Sequence, residues 1–197
     1  MIREKPQMRV LIVSGSPKVT QYLTELLTED RFSYIASVPS AGEAKRMMID
    51  VPFDLVMINT PLTDEFGVQL ALDLSEENET VPILLFVKTE QCEQVAYQAE
   101  DYGILTLARP NNRQNILQAV HLMAATRIKL RTLEQKASTM QRKMEEIRLV
   151  NRAKLLLMQQ LGLGEAEAHR YIEKAAMDAG LKRREIAKRI IRSYESA

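Results

Sequence analysis

The chain has 197 residues, 46% of them hydrophobic and 27% charged, enough to bury a core without staples, and its single cysteine, Cys92, excludes an internal disulfide framework and suits a reducing cytoplasm. The N-terminal residues lack the basic start and apolar stretch of a signal peptide, and no run is apolar enough to span a bilayer, so a cytoplasmic setting without a membrane partner is expected. The net charge of +1 hides an asymmetry: from Arg148 onward eleven Lys or Arg stand against six Asp or Glu, a surplus of +5 that leaves −4 for the rest and points to an anionic partner.

The first region, from Met8 to about Met123, alternates short apolar runs with helical stretches. Arg9-Val10-Leu11-Ile12-Val13 reads as a strand broken by Ser14-Gly15-Ser16-Pro17, and Val19 to Leu27 is spaced as a helix. A weaker strand is expected near Tyr34 to Val38. Phe53 to Ile58 is a further strand, ended by Asn59-Thr60-Pro61; Pro82 to Val87 is another, and Leu105 to Ala108 the last, ended by Arg109-Pro110. Strands alternating with helices predict a parallel sheet covered on both faces.

From about Asn112 to Val150 the chain has neither glycine nor proline. Leu130, Leu133, Ala137, Met140, Met144 and Ile147 are spaced three and four residues apart in alternation, a seam of period 3.5 flanked by charges. A long helix packed back on its own sheet would also use such a stripe. The favoured reading is a parallel coiled-coil homodimer, with Met and Ala making a modest interface.

The third region, 151–197, holds a helix end near Leu161, before Gly162 and Gly164, then a helix from Glu165 to Met177 stopped by Gly180, then a helix from Lys182 to Tyr194. Three short helices in under fifty residues make a small module.

The first region resembles the receiver domain of two-component response regulators. The resemblance rests on Leu55-Val56-Met57-Ile58-Asn59 followed by Gly67, and on Ala108-Arg109-Pro110. It implies an α/β, flavodoxin-like fold over residues 1–123. In that family an aspartate ending the third strand accepts a phosphoryl group, an acidic pair after the first strand binds magnesium, a Thr or Ser ends the fourth strand and a lysine precedes the last proline. Here Asn59 takes the phosphoacceptor position, Ser14, Gly15 and Ser16 the acidic pair, Val87 the hydroxyl and Arg109 the lysine. An amide is no carboxylate nucleophile, and without acids nothing charged holds a hard cation, so the expectation is a pseudo-receiver with neither metal nor cofactor. Asp64, five residues past Asn59, is expected out on the loop. The domain then serves as a scaffold, or takes an unknown protein or small-molecule input at its strand ends.

The third region resembles the ANTAR domain of antitermination regulators. The likeness is carried by Asn151-Arg152-Ala153-Lys154-Leu155-Leu156-Leu157-Met158, Gly162-Leu163, Glu165 to Asp178 with its Glu-Ala and Ala-Met elements, and Arg184 to Ile191 with Ile-Ala. The family commonly sets this module after a receiver-like domain and a coiled coil, here 112–150, overlapping the last receiver helix. The resemblance implies a transcription regulator that binds paired stem-loops in nascent leader RNA and favours an antiterminator over a terminator hairpin. A dimer presents two modules for two hairpins. Lys154, His169, Arg170, Lys174, Arg183 and Arg184 are the expected RNA contacts. His169 holds a place where the family often has an aromatic. Tyr194 is a further candidate for stacking, while Tyr171, at a leucine-like position, is expected in the core. Ala153, Ala168, Ala176 and Ala187 are expected at close helix contacts.

No nucleophile–base pair, metal cluster or phosphate-loop fingerprint points to an enzyme. Two other readings compete with RNA binding. Three basic helices also fit a DNA-binding regulator, and an adaptor that binds only proteins would show no RNA affinity.

Overall fold

The computed structural model describes residues 7–27 and 32–195. The chain forms two compact units, Met1–Thr132 and Leu133–Ala197.

The first unit is a five-stranded parallel sheet in the order β2-β1-β3-β4-β5. Its strands are β1 (Met8–Ser14), β2 (Phe32–Val38), β3 (Leu55–Asn59), β4 (Ile83–Lys88) and β5 (Leu105–Arg109). Between them run α1 (Pro17–Leu26), α2 (Ala41–Asp50), α3 (Val68–Glu77) and α4 (Thr89–Ala99), and after β5 comes α5 (Arg113–Leu161). Side chains alternate across each strand, so one continuous apolar run feeds two cores. Leu11, Val13, Val56, Ile58, Leu85 and Val87 face α2, α3 and α4. Val10, Ile12, Leu55, Met57, Leu84 and Phe86 face α1 and the first turns of α5, where Ile116, Ala119, Val120 and Met123 pack.

The expected strand from Phe53 begins two residues later, at Leu55. Phe53 is buried before the strand, and Asp54 turns its carboxylate back to accept the Arg9 N–H at 3.0 Å. That carboxylate, almost wholly buried, also meets Arg127 at 3.5 Å and Arg131 at 3.1 Å. Arg127 donates to the Thr80 carbonyl at 2.8 Å as well. One buried acid thereby ties α5 to the beginnings of β1 and β3. Gly67 opens α3 with φ +97°, and an added Cβ would lie 3.2 Å from Leu62 and 3.3 Å from Ile58. Glycine fits there and an L side chain does not.

In the second unit the end of α5 packs with α6 (Glu165–Ala179) and α7 (Arg183–Glu195). Val150, Ala153 and Leu157 meet Ala168, Ile172 and Ala176, and Ile186, Ala187, Ile190 and Ile191 close the third side. The four alanines expected at helix contacts are all buried there. Glu167 accepts the Gly164 N–H at 2.9 Å and so caps α6. Gly180 ends α6 at φ +63°, with the Leu181 N–H donating back to the Ala176 carbonyl. Tyr171 corrects an expectation: it is 49% exposed, because the buried stripe of α6 runs through Ala168, Ile172 and Ala176 and leaves Tyr171 at its edge.

Candidate functional site

Polar and charged side chains gather at two places on the molecule. The first lies at the carboxyl ends of the strands in the first unit. Asn59 is the last residue of β3, paired with Ser14 of β1 and Phe86 of β4, and only 2% exposed. Its Nδ2 donates to Ser14 Oγ at 3.0 Å, and that hydroxyl also accepts the Ser16 N–H at 3.2 Å. Arg109, at the end of β5, donates to the Thr60 carbonyl, and burial pushes its guanidinium below the usual arginine range. Val87 is fully buried in the core on the α2–α4 side. Asp64, on the loop after β3, accepts the Ala41 N–H at 2.8 Å and the Gly42 N–H at 3.0 Å, capping α2. Those two donors hold its carboxyl below the ordinary range. Beside Ser14, a shallow cavity of about 370 Å³ is lined by Gly15, Pro17, Thr20, Ser37 and Pro39.

The second place is in the three-helix unit. An open cavity of about 400 Å³ takes its wall from α5, through Lys143, Ile147, Val150, Asn151 and Lys154, with His169 of α6 and Arg183 of α7 opposite. Three of the six side chains expected to meet RNA therefore converge from three helices. Lys154 pairs with Glu165 at 2.8 Å and pulls that carboxyl below its usual range. His169 lies 3.3 Å from Glu173. Arg183 reaches Glu173 at 3.5 Å and Glu146 at 3.6 Å. Arg184 is half-buried, does not line the cavity, and contacts Glu145 at 3.4 Å. Arg170 and Lys174 are exposed on α6 outside the cavity and, among the described residues, form no ion pair. Sequence reasoning missed Lys143 and Asn151. Their signal is the spacing 143, 147, 150, 151, 154, which places five side chains on one face of a helix.

The seam residues lie on the continuous helix α5. Leu130 is half-buried, whereas Leu133, Met140, Met144 and Ile147 are 47%, 67%, 52% and 59% exposed, and Ala137 is exposed too.

The family model of the response regulator receiver domain matches residues 10–121, and that of the ANTAR domain matches 138–191. The chain belongs to the ANTAR-domain response regulators. The transcriptional regulatory protein PdtaR of Mycobacterium tuberculosis is 25% identical over 184 residues, covering 93% of this chain and 89% of the relative. The transcriptional regulatory protein LytR of Staphylococcus aureus is 26% identical over 125 residues, 62% of this chain and 49% of that one. Among solved structures, the signal receiver domain of an HD domain-containing protein from Pseudomonas fluorescens superposes with a TM-score of 0.57 at 19% identity, over 67% of this chain and 96% of its own. An adenylate cyclase structure from Rhodopirellula baltica gives 0.62 at 15% identity, over 67% and 98%. Both likenesses concern the receiver fold. This ANTAR-domain response regulator thus joins a flavodoxin-like receiver to a helical output module. Among its described residues no helix is long and apolar enough to cross a membrane.

Proposed function

We propose that this regulator acts on transcription by binding stem-loops of nascent leader RNA through its ANTAR unit, favouring an antiterminator over a terminator hairpin. The observation that carries the reading is the convergence of Lys154, His169 and Arg183 on one cavity of the helical unit, in a domain matched to ANTAR. Cations meet phosphates there without sequence preference, and the apolar wall suits unstacked bases of a loop. Arg170 and Lys174, exposed on α6 outside the cavity, offer further cations to a duplex stem. The stripe from Leu130 to Ile147, exposed from Leu133 onward, pairs two copies in parallel, so that two modules meet two hairpins. The protein works in the cytoplasm, where nascent transcripts are.

The receiver in this reading does not use aspartyl phosphate. Asn59 offers an amide where the family presents a carboxylate, its Nδ2 is spent on Ser14, and Asp64 is spent on the start of α2. No acid neighbours Ser14-Gly15-Ser16 in the sequence, and among the described residues no group of three or more metal-ligating side chains stands together to hold a divalent cation. The strand ends are left as a scaffold or as the seat of another input.

Binding of hairpin RNA and of duplex DNA, compared across a salt series on the full-length protein, tests the reading. RNA hairpins are expected to bind more tightly at every salt concentration, and Lys154→Ala to lower the slope of log affinity against log salt by about one. A preference for duplex DNA would turn the reading toward a DNA-binding regulator.

A further inference from the structure

Helix α5 repeats positions three and four residues apart well before its exposed seam begins. Ile116, Ala119, Met123 and Thr126 stand on the same line as Leu130 and Leu133, and the first three are buried against the sheet. Arg127, on the flank of that line, is held by Asp54. The stretch open to a second copy therefore starts at Leu130, and the residues bordering it there decide how a second helix can lie. The residue just before each of Leu130, Ala137 and Met144 is a lysine: Lys129, Lys136 and Lys143. The residues just after Leu133, Met140 and Ile147 are Glu134, Gln141 and Arg148. All six are exposed, and among the described residues none of the charged ones forms an ion pair.

In a parallel pair the flank ahead of the seam in one copy meets the flank behind it in the other. Lys129 then meets Glu134 of the second copy, Lys136 meets Gln141, and Lys143 meets Arg148. The first contact attracts, the second is neutral and the third repels, and symmetry makes each of them twice. Resting on the paired-copy reading above, we infer that the second copy lies parallel on this stripe, closed at its start by Lys129–Glu134 and loosened at its end by the like charges of Lys143 and Arg148. An antiparallel pair would set every lysine of the one flank against a lysine, which the attraction of Glu134 for Arg148 on the other flank does not offset. The loosened end is where α5 enters the helical unit at Val150. Lys143, which lines the cavity of that unit, is left there without an ion-pair partner in the coil.

Sedimentation equilibrium of the full-length protein and its charge variants tests the assignment. Lys129→Glu should raise the dimer dissociation constant about three- to tenfold, and Lys143→Glu and Arg148→Glu should each lower it by a similar factor, because every substitution reverses two symmetry-related exposed pairs. The double variant Lys143→Glu/Arg148→Glu should return toward the wild-type constant, since two glutamates repel as lysine and arginine do. Lys129→Glu and Lys143→Glu moving the constant in the same direction, or Arg148→Glu raising it, marks an antiparallel pair and overturns the inference. A constant indifferent to all of these substitutions overturns it too, and leaves a dimer held by apolar contact alone. A wild type that stays monomeric overturns the paired-copy reading and this inference with it. Far-UV circular dichroism of each variant, matching the wild type, shows that pairing was changed and not the helix; the three separate sites keep the test open if one variant loses its fold.

Discussion

Lys154 and Glu165 illustrate how the individual residues of the helical unit are balanced. The ammonium sits 2.8 Å from the carboxylate, and every cation on the cavity rim that makes an ion pair makes it with a glutamate of the same unit. RNA phosphates compete with these glutamates for the same donors. Glu165→Gln and Glu173→Gln should therefore tighten hairpin binding, measured by fluorescence anisotropy at fixed salt; unchanged or weaker binding would mean the carboxylates position the cations and do not mask them. Asp64 gives a second residue-scale expectation. Its pKa is lowered in the fold by the Gly42 and Ala41 N–H donors. A depressed carboxylate contributes stability that is present above its unfolded value, about 4, and lost as pH falls through the lower folded one. An NMR titration should place the Asp64 midpoint below that of an exposed aspartate. Asp64→Asn should remove its share of the acid limb of stability, and a midpoint at the ordinary value would contradict the capping contact.

The anchors of the elements depend on few side chains. Asp54 joins the Arg9 backbone to Arg127 and Arg131 while almost wholly buried, so Asp54→Ala leaves a largely buried guanidinium without its carboxylate. A loss of about 3 kcal/mol in chemical denaturation is expected. Gly67→Ala forces a side chain to φ +97° against Leu62 and Ile58, and a cost of about 1–2 kcal/mol or more follows from the backbone conformation alone. How much of this was legible in the sequence varies by element. Gly162, Gly164 and Gly180 punctuate the helices because backbone conformation is local, and α6 and α7 end within two residues of where the glycines and charges place them. The start of β3 was not legible, since Asp54 leaves the strand for partners on β1 and α5 that are remote in sequence. Tyr171 was misplaced for another reason: residue type and family habit suggested core, but the phase of α6 is set by Ala168, Ile172 and Ala176, one residue away. Within the candidate site, the three cations were visible as a basic tail. Their convergence with Asn151 and Lys143 required the packing of three helices, and the partition of Arg170 and Lys174 to an outer face did too.

At the scale of the whole molecule, a receiver fold whose third strand ends in Asn59 is joined by one continuous helix to an ANTAR unit. In the proposed dimer the exposed stripe of that helix pairs two copies. Met140→Asp should raise the dimer dissociation constant at least about tenfold in sedimentation equilibrium, because a buried methionine side chain is worth roughly 1.5–3 kcal/mol. A wild type that is monomeric at high concentration would remove the paired-hairpin part of the proposal. Hairpin affinity of the full-length protein, with and without a phosphodonor such as acetyl phosphate and magnesium, separates RNA binding that needs no aspartyl phosphate from binding gated by one. Binding to RNA hairpins is expected to be salt-sensitive, weakened by Lys154→Ala and indifferent to the phosphodonor. Hairpin binding that appears only after phosphodonor treatment, or no RNA binding under any condition, would contradict it.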